Sequence, residues 1–159
     1  MDSRMLNTPE EYMKRALELA REAATAGEVP VGALIVMEDG ETFEGRNAVE
    51  TGDPLDHAEM LALKAALKER GKDRRSLSGA VLYVTLEPCV MCLGAMVHAR
   101  IGGLVFACSE PRFGGVEFME TLWRGGRYPH RFPTALSTES AREESAALMR
   151  AFFSAKRSS

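Results

Sequence analysis

The sequence predicts an α/β fold, a layered domain with helices on both faces of one sheet. Segments with helical apolar spacing alternate with short apolar runs along the chain. The runs are five to seven residues long, the length of strands. Gly, Pro and Asp separate nearly every pair of segments, as turns require.

Residues 9–27 (PEEYMKRALELAREAATAG) place Tyr12, Met13, Ala16, Leu17 and Ala20 near helical spacing, with acids in the first turn and a terminal glycine. Residues 31–36 (VGALIV) form a short apolar strand. Glu38-Asp39-Gly40 turns the chain and 42–48 return it, so a hairpin is expected. Pro54 closes a loop before a second helix, 57–70, with Met60, Leu61, Leu63, Ala66 and Leu67 on its apolar face and Gly71 as its stop. Residues 80–86 (AVLYVTL) read as a buried strand. A helix follows from Pro88 or Cys89 to about Ala99, proline being well tolerated at a first helical position. Residues 104–108 give another strand. The stretch 109–132 is rich in Gly and Arg, with a short helix over 117–123, and 138–156 form a final amphipathic helix.

The 159 residues suit one domain spanning 1–159, and 45% hydrophobic with 27% charged residues is ordinary for a globular protein. No run approaches the roughly 20 apolar residues of a membrane-spanning helix. MDSRMLNTPEEY at the start has no apolar run to serve as a signal peptide, so cytoplasmic residence is expected and a membrane partner is not. The net charge of −3 argues against a large nucleic-acid footprint, although it leaves room for a local basic patch. Three cysteines cannot all pair within one chain, and Cys89-Val90-Met91-Cys92 has the spacing of metal or redox chemistry in a reducing compartment.

Potential ligands gather at two expected helix starts. His57-Ala58-Glu59 follows a loop, and Pro88-Cys89-Val90-Met91-Cys92 follows a strand. Positions i and i+3 share a helix face, so both thiols can point at one ion. The positive helix end favours the thiolate that binds metal. One histidine and two cysteines leave a tetrahedral vertex open, as catalytic zinc sites do and structural ones do not. At such a vertex the pKa of water falls to about 7. Glu59 can stand beside the metal without binding it, taking a proton from water and passing it to a substrate ring nitrogen and then a departing amine. A lone C-x-x-C could be a redox pair, and a lone H-x-E arises by chance. A redox centre would explain neither Pro88 nor the His57–Glu59 pair.

H-x-E followed by P-C-x-x-C is the signature of zinc deaminases acting on nucleobases. At these residues the sequence resembles the cytidine/deoxycytidylate deaminase superfamily, most closely the bacterial tRNA adenosine deaminases. Further matches are Glu28-Val29-Pro30-Val31-Gly32-Ala33, Asp53-Pro54 ahead of His57, and Tyr83-Val84-Thr85-Leu86-Glu87-Pro88-Cys89-Val90-Met91-Cys92 with Gly94-Ala95-Met96. The likeness runs continuously over about 12–106 and more loosely over 146–157, which contain Phe152-Phe153. It implies a three-layer α/β/α domain with a five-stranded mixed sheet, like that of the cytidine deaminases. It also implies one zinc ion on His57, Cys89 and Cys92, Glu59 as the catalytic residue, a homodimer, and conversion of adenosine to inosine in a tRNA anticodon loop. Asn47 matches a position that hydrogen-bonds the target base, and its amide can donate to a purine nitrogen. Val31 matches one that packs on the base, and Ala58, between His57 and Glu59, is carried over with them as substrate-binding. Read plainly, Asn47 is a turn or strand-end asparagine and Val31 a core residue.

The chain departs from the family pattern after Phe106. A small-residue loop with an aspartate and a lysine is replaced by a stretch in which Glu110 and Arg112 stand for those two, while Val116, Glu117 and Phe118 are bulkier. The family's Asn-His-Arg survives only as His130-Arg131, and Asp56 stands where a small neutral residue is usual. These changes fall where RNA would lie. A second substrate class therefore stays open, a free nucleobase or nucleoside such as guanine, adenine or cytosine, with Phe113 and Phe118 closing the pocket. A third reading is a structural zinc module that only binds. Among the remaining residues, Cys108 reads as a core or rim thiol and His98 as an ordinary helix residue. Trp123, Tyr128 and Phe132 read as either a stacking surface or packing. Arg112, Arg124, Arg127 and Arg131 read as phosphate contacts or solvated charge.

Overall fold

The computed structural model describes residues 7–71, 73 and 75–158; the first half of the MDSRMLNTPEEY stretch, read above for a signal peptide, lies outside them. Helix α1 (Pro9–Thr25) starts where Thr8 caps it, Oγ1 accepting from Glu11 N at 3.2 Å, and the chain leaves it through Gly27 at φ 82°. That left-handed angle suits glycine and stops the helix two residues short of the expected end. Strands β1 (Gly32–Val36) and β2 (Thr42–Arg46) form the expected hairpin, antiparallel, with Gly32 opposite Arg46. Then follow α2 (Ala58–Arg70), β3 (Val81–Leu86), α3 (Val90–His98), β4 (Gly103–Cys108), α4 (Val116–Arg124), β5 (Thr134–Ser137) and α5 (Arg142–Ser158).

The five strands make one mixed sheet in the order β2-β1-β3-β4-β5. β1 is antiparallel to β2 and β3, whereas β3, β4 and β5 run parallel. α1 and α5 pack on one face, α2 and α3 on the other, with α4 against α3. The period of two along each strand assigns the faces. Ala33, Ile35, Leu82, Val84, Leu104 and Phe106 join the larger core with Ala62, Leu93 and Met96. Leu34, Val36, Tyr83 and Ala107 join Tyr12, Met13 and Ala16 of α1 in the smaller one. The result is the three-layer α/β/α architecture expected.

Two segments differ from the reading of the residues. β5 is not among the apolar runs because it is only four residues long, and its Leu136 is exposed at the sheet edge. The last helix begins at Arg142, not at 138. Thr138 N still donates to Phe106 O, extending the ladder, and Ala141 at φ 62° breaks the backbone before the helix.

Candidate metal centre and pocket

α2 can lie directly across the hairpin because Gly45 has no side chain. A Cβ there would run into the Ala58 carbonyl, at the first residue of α2. That close approach fixes where His57 and Glu59 emerge. His57 is the N-cap of α2, at φ −70° and ψ 153°, and Cys89 is the N-cap of α3, at φ −77° and ψ 171°. Both lie one step outside the helices on which the sequence placed them. An N-cap side chain commonly bonds the N–H groups of its own first turn. Here neither does, which frees the imidazole and the thiol to face each other.

His57 Nδ1 lies 3.5 Å from Cys92 Sγ and 3.7 Å from Cys89 Sγ, and the three donor atoms all fall within 4.8 Å of one another. Tetrahedral zinc with nitrogen at about 2.0 Å and sulfur at about 2.3 Å needs an N···S edge of about 3.6 Å. The donors thus already stand at the separation zinc would require. Among the described residues no fourth His, Cys, Asp or Glu joins this group.

Glu59 opens the second position of α2 and is only 4% exposed. Burial, the largest influence, pushes its carboxyl up to about 7, opposed by a bond from its own backbone. A cation bound beside it would pull that value down again. The contact with the Cys92 thiol holds Cys89 down to about 5, and the same contact with burial pushes Cys92 up. Of the two sulfurs, Cys89 is the readier to give up its proton to a metal, which binds the thiolate.

The cluster opens into a pocket of about 660 Å³. Val31 and Asn47 line it beside His57 and Glu59. Val31 is 7% exposed and belongs to the core while also lining the pocket. Asn47 is 8% exposed, its N–H is spent on Val31 O, and among the described residues none bonds its side-chain amide. Ala58 is fully buried in the core and its methyl does not line the pocket. Its backbone N–H belongs to the first helical turn, which lacks internal partners.

Glu110, Arg112 and Phe113 also line the pocket, as do Met149, Phe152, Phe153 and Lys156 of α5. Arg112 sits 5.5 Å from the Phe113 ring centre and Lys156 5.6 Å from that of Phe152. Two carboxylates whose roles the sequence did not reveal also line the pocket. Buried Glu28 accepts from Glu50 N and Thr51 N at 3.0–3.1 Å, and half-buried Glu87 from Glu110 N and Val116 N. The charge of Asp56 is used likewise: its Oδ2 accepts from Asp53 N at 3.1 Å and holds the turn ahead of His57.

Other candidates lie elsewhere. His130 groups with His98 and Tyr128 at the far end of α3, where Tyr128 Oη and His98 Nε2 are 3.2 Å apart. Trp123, Tyr128 and Phe132 pack against the core and do not line this pocket. Arg124 pairs with Glu120 on α4. Cys108 is a half-buried rim thiol bonded to Ser109 O.

Residues 6–108 match the family of the cytidine and deoxycytidylate deaminase zinc-binding region. The tRNA-specific adenosine deaminase of Bacillus subtilis is 38% identical over 143 residues, 89% of this chain and 86% of its own. A solved structure from work on A-to-I editing by tRNA:A34 deaminases at the wobble position superposes with a TM-score of 0.75 at 37% identity, over 87% of this chain and 98% of the other. A guanine deaminase from Nitrosomonas europaea gives a TM-score of 0.71 at 29% identity, over 92% of this chain and 85% of the other.

Proposed function

Because the chain belongs to the cytidine and deoxycytidylate deaminase zinc-binding family, we propose that it converts adenosine to inosine in a tRNA anticodon loop, with His57, Cys89 and Cys92 as zinc ligands and Glu59 as proton carrier. Membership makes it a zinc-dependent hydrolytic nucleobase deaminase; the substrate and the residue roles are the proposal. The observation that carries it is the triad of donors at zinc separation, beside buried Glu59, at the floor of a pocket with an aromatic and cationic rim.

When bound, zinc supplies the Lewis acidity that lowers the pKa of water to about 7. Glu59 takes a proton from the attacking water, gives it to the ring nitrogen next to C6, and delivers the next to the departing amine. Water adds at C6 and ammonia leaves, so adenosine and water become inosine and ammonia. The free Asn47 amide holds the flipped base, Val31 packs on its face, and the Ala58 N–H is an available donor beside the cluster.

For a polynucleotide the rim is the relevant feature. Phe113, Phe152 and Phe153 offer stacking faces, while Arg112 and Lys156 supply charge suited to a phosphate backbone. The similarity to tRNA adenosine deaminases supports the same substrate. Likeness to a guanine deaminase favours a second reading, a free purine. However, Phe113 is 68% exposed at the rim and Phe118 does not line the pocket, so neither closes it as that reading expected.

The test offers an anticodon stem-loop and a panel of free bases and nucleosides to the zinc-loaded protein and measures inosine and ammonia. Turnover of the stem-loop, weakening steeply as salt rises, is the expected result. Ammonia from guanine or another free base with an inert stem-loop would favour the small-molecule reading. Ammonia from none of them would leave a zinc-binding module.

A homodimer in the cytoplasm, each chain one domain over 1–159, completes the proposal. Exposed Val90, Phe118 and Leu136 offer apolar surface for a second copy, and thiolate ligands suit a reducing compartment. Among the described residues no helix is long and apolar enough to cross a membrane.

A further inference from the structure

We infer that Glu87 is a positioning residue, its carboxylate clasping the loop between β4 and α4 so that Arg112 and Phe113 face the substrate. The inference rests on the deaminase reading of the pocket.

β3 ends at Leu86, and Glu87 carries its ladder one step further by donating N–H to Cys108 O at 2.7 Å. Beyond this step the two neighbouring strands part. One path leads through Pro88 to Cys89, the other into the loop that reaches α4 at Val116. The Glu87 side chain fills the gap between them. Oε1 accepts from Glu110 N at 3.1 Å and Oε2 from Val116 N at 3.2 Å. These amides stand at opposite ends of the loop, so one carboxylate closes it.

The closure is tight. A Cβ on Gly114 would collide with the Glu87 carboxylate, so the loop backbone lies against the acid. Gly114 N donates to Glu110 O at 2.8 Å, and Gly115 N to Pro88 O at 2.9 Å. An isolated antiparallel bridge joins Gly114 to Cys89 itself. Outward from this clasp, Glu110, Arg112 and Phe113 face the pocket. One acid therefore fastens the variable wall to the turn that carries a metal donor. Two backbone donors need two acceptor oxygens. Glutamine in place of the acid would present an NH2 group to one of them, and the bond that remains would lose its charged acceptor.

The experiment compares Glu87→Gln, Glu87→Asp, Phe113→Ala and the Glu87→Gln/Phe113→Ala pair in the zinc-loaded full chain. It reads zinc per chain, kcat and KM, and hydrogen exchange at the Glu110 and Val116 amides. Glu87→Gln should keep its zinc, raise KM about tenfold with a smaller fall in kcat, and speed exchange at one or both amides about tenfold or more. Glu87→Asp, which keeps both oxygens, should recover part of the loss. The pair with Phe113→Ala should fall short of additivity, because both act through one wall. Unchanged KM with unchanged exchange, additive effects, or a collapse of kcat with loss of zinc would each overturn the inference. If Glu87→Gln does not fold, fast exchange at both amides in the unsubstituted protein overturns it. A wild-type chain that deaminates nothing would instead sink the functional reading, and the amide exchange would still report on the clasp.

Discussion

The wall of the pocket that carries His57, Glu59, Cys89 and Cys92 and the wall that carries Arg112, Phe113, Phe152 and Phe153 differ in how each is held. The first stands on helix starts pressed against the sheet, with Glu59 at 4% exposure and Cys92 fully buried. The second consists of the loop that Glu87 clasps at its base and the outer part of α5, with Phe113 at 68% exposure. On the proposed function, chemistry with strict distances belongs to the first wall, and recognition, which tolerates exchange of side chains, to the second. Of the departures from the family pattern, Glu110 and Arg112 fall on the second wall, whereas Asp56 holds the turn ahead of His57 and Phe118 and His130 lie off this pocket. The comparison makes a prediction, that reaction type and substrate choice can be altered separately.

Metal removal makes the largest break in that contrast. Chelation should abolish deamination completely and added zinc should restore it, with metal content and ammonia release followed together. Next in size, Glu59→Ala should retain its metal and lose about a thousandfold or more in kcat on any substrate, since the proton carrier serves every base. A variant that stays active within tenfold would remove Glu59 from the chemistry. Gly45→Ala tests the support beneath the first wall. The added methyl meets the Ala58 carbonyl and should cost about 1–3 kcal/mol in urea unfolding, with the helix start displaced. A neutral result would show that α2 can back away without consequence. Phe152→Ala sharpens the contrast from the other side. It should raise KM for the stem-loop by about ten- to a hundredfold, through a lost stacking face of about 1–3 kcal/mol, and leave a free base unaffected. Arg112→Ala, at a mostly exposed cation, should change stem-loop affinity only a few-fold while lowering the salt slope by about one.

The same division explains what was legible in the sequence. The rigid wall could be read because metal chemistry fixes residue types at fixed spacings, although Cys89 reaches the site as an N-cap rather than from within the helix. The sheet was legible in three apolar runs and in the hairpin return over 42–48. β5 was not, since four residues with an exposed Leu136 carry no alternation to read. The start of α5 was misplaced because Thr138 is held by a backbone bond to Phe106 that no local pattern announces. Glu28 and Glu87 were visible as motif residues, but their work is to accept backbone N–H groups 22 and more positions away, which only the fold brings near. Phe152 and Phe153 were visible only as part of the looser resemblance over 146–157; which cavity they border depends on how α5 docks, through Ser145 Oγ on Thr85 O at 2.8 Å.

Both ligand-bearing helices begin without help from their own side chains, His57 and Cys89 being turned outward where a serine or aspartate would ordinarily fold back. Each start forgoes about 1 kcal/mol by that choice. A single ion gripped by both residues would stitch the two openings together and so would act as a common terminus for two helices as well as a reagent. Loading the protein should therefore raise its melting temperature and quiet the first turns of α2 and α3 together, in proportion to how tightly the ion is held.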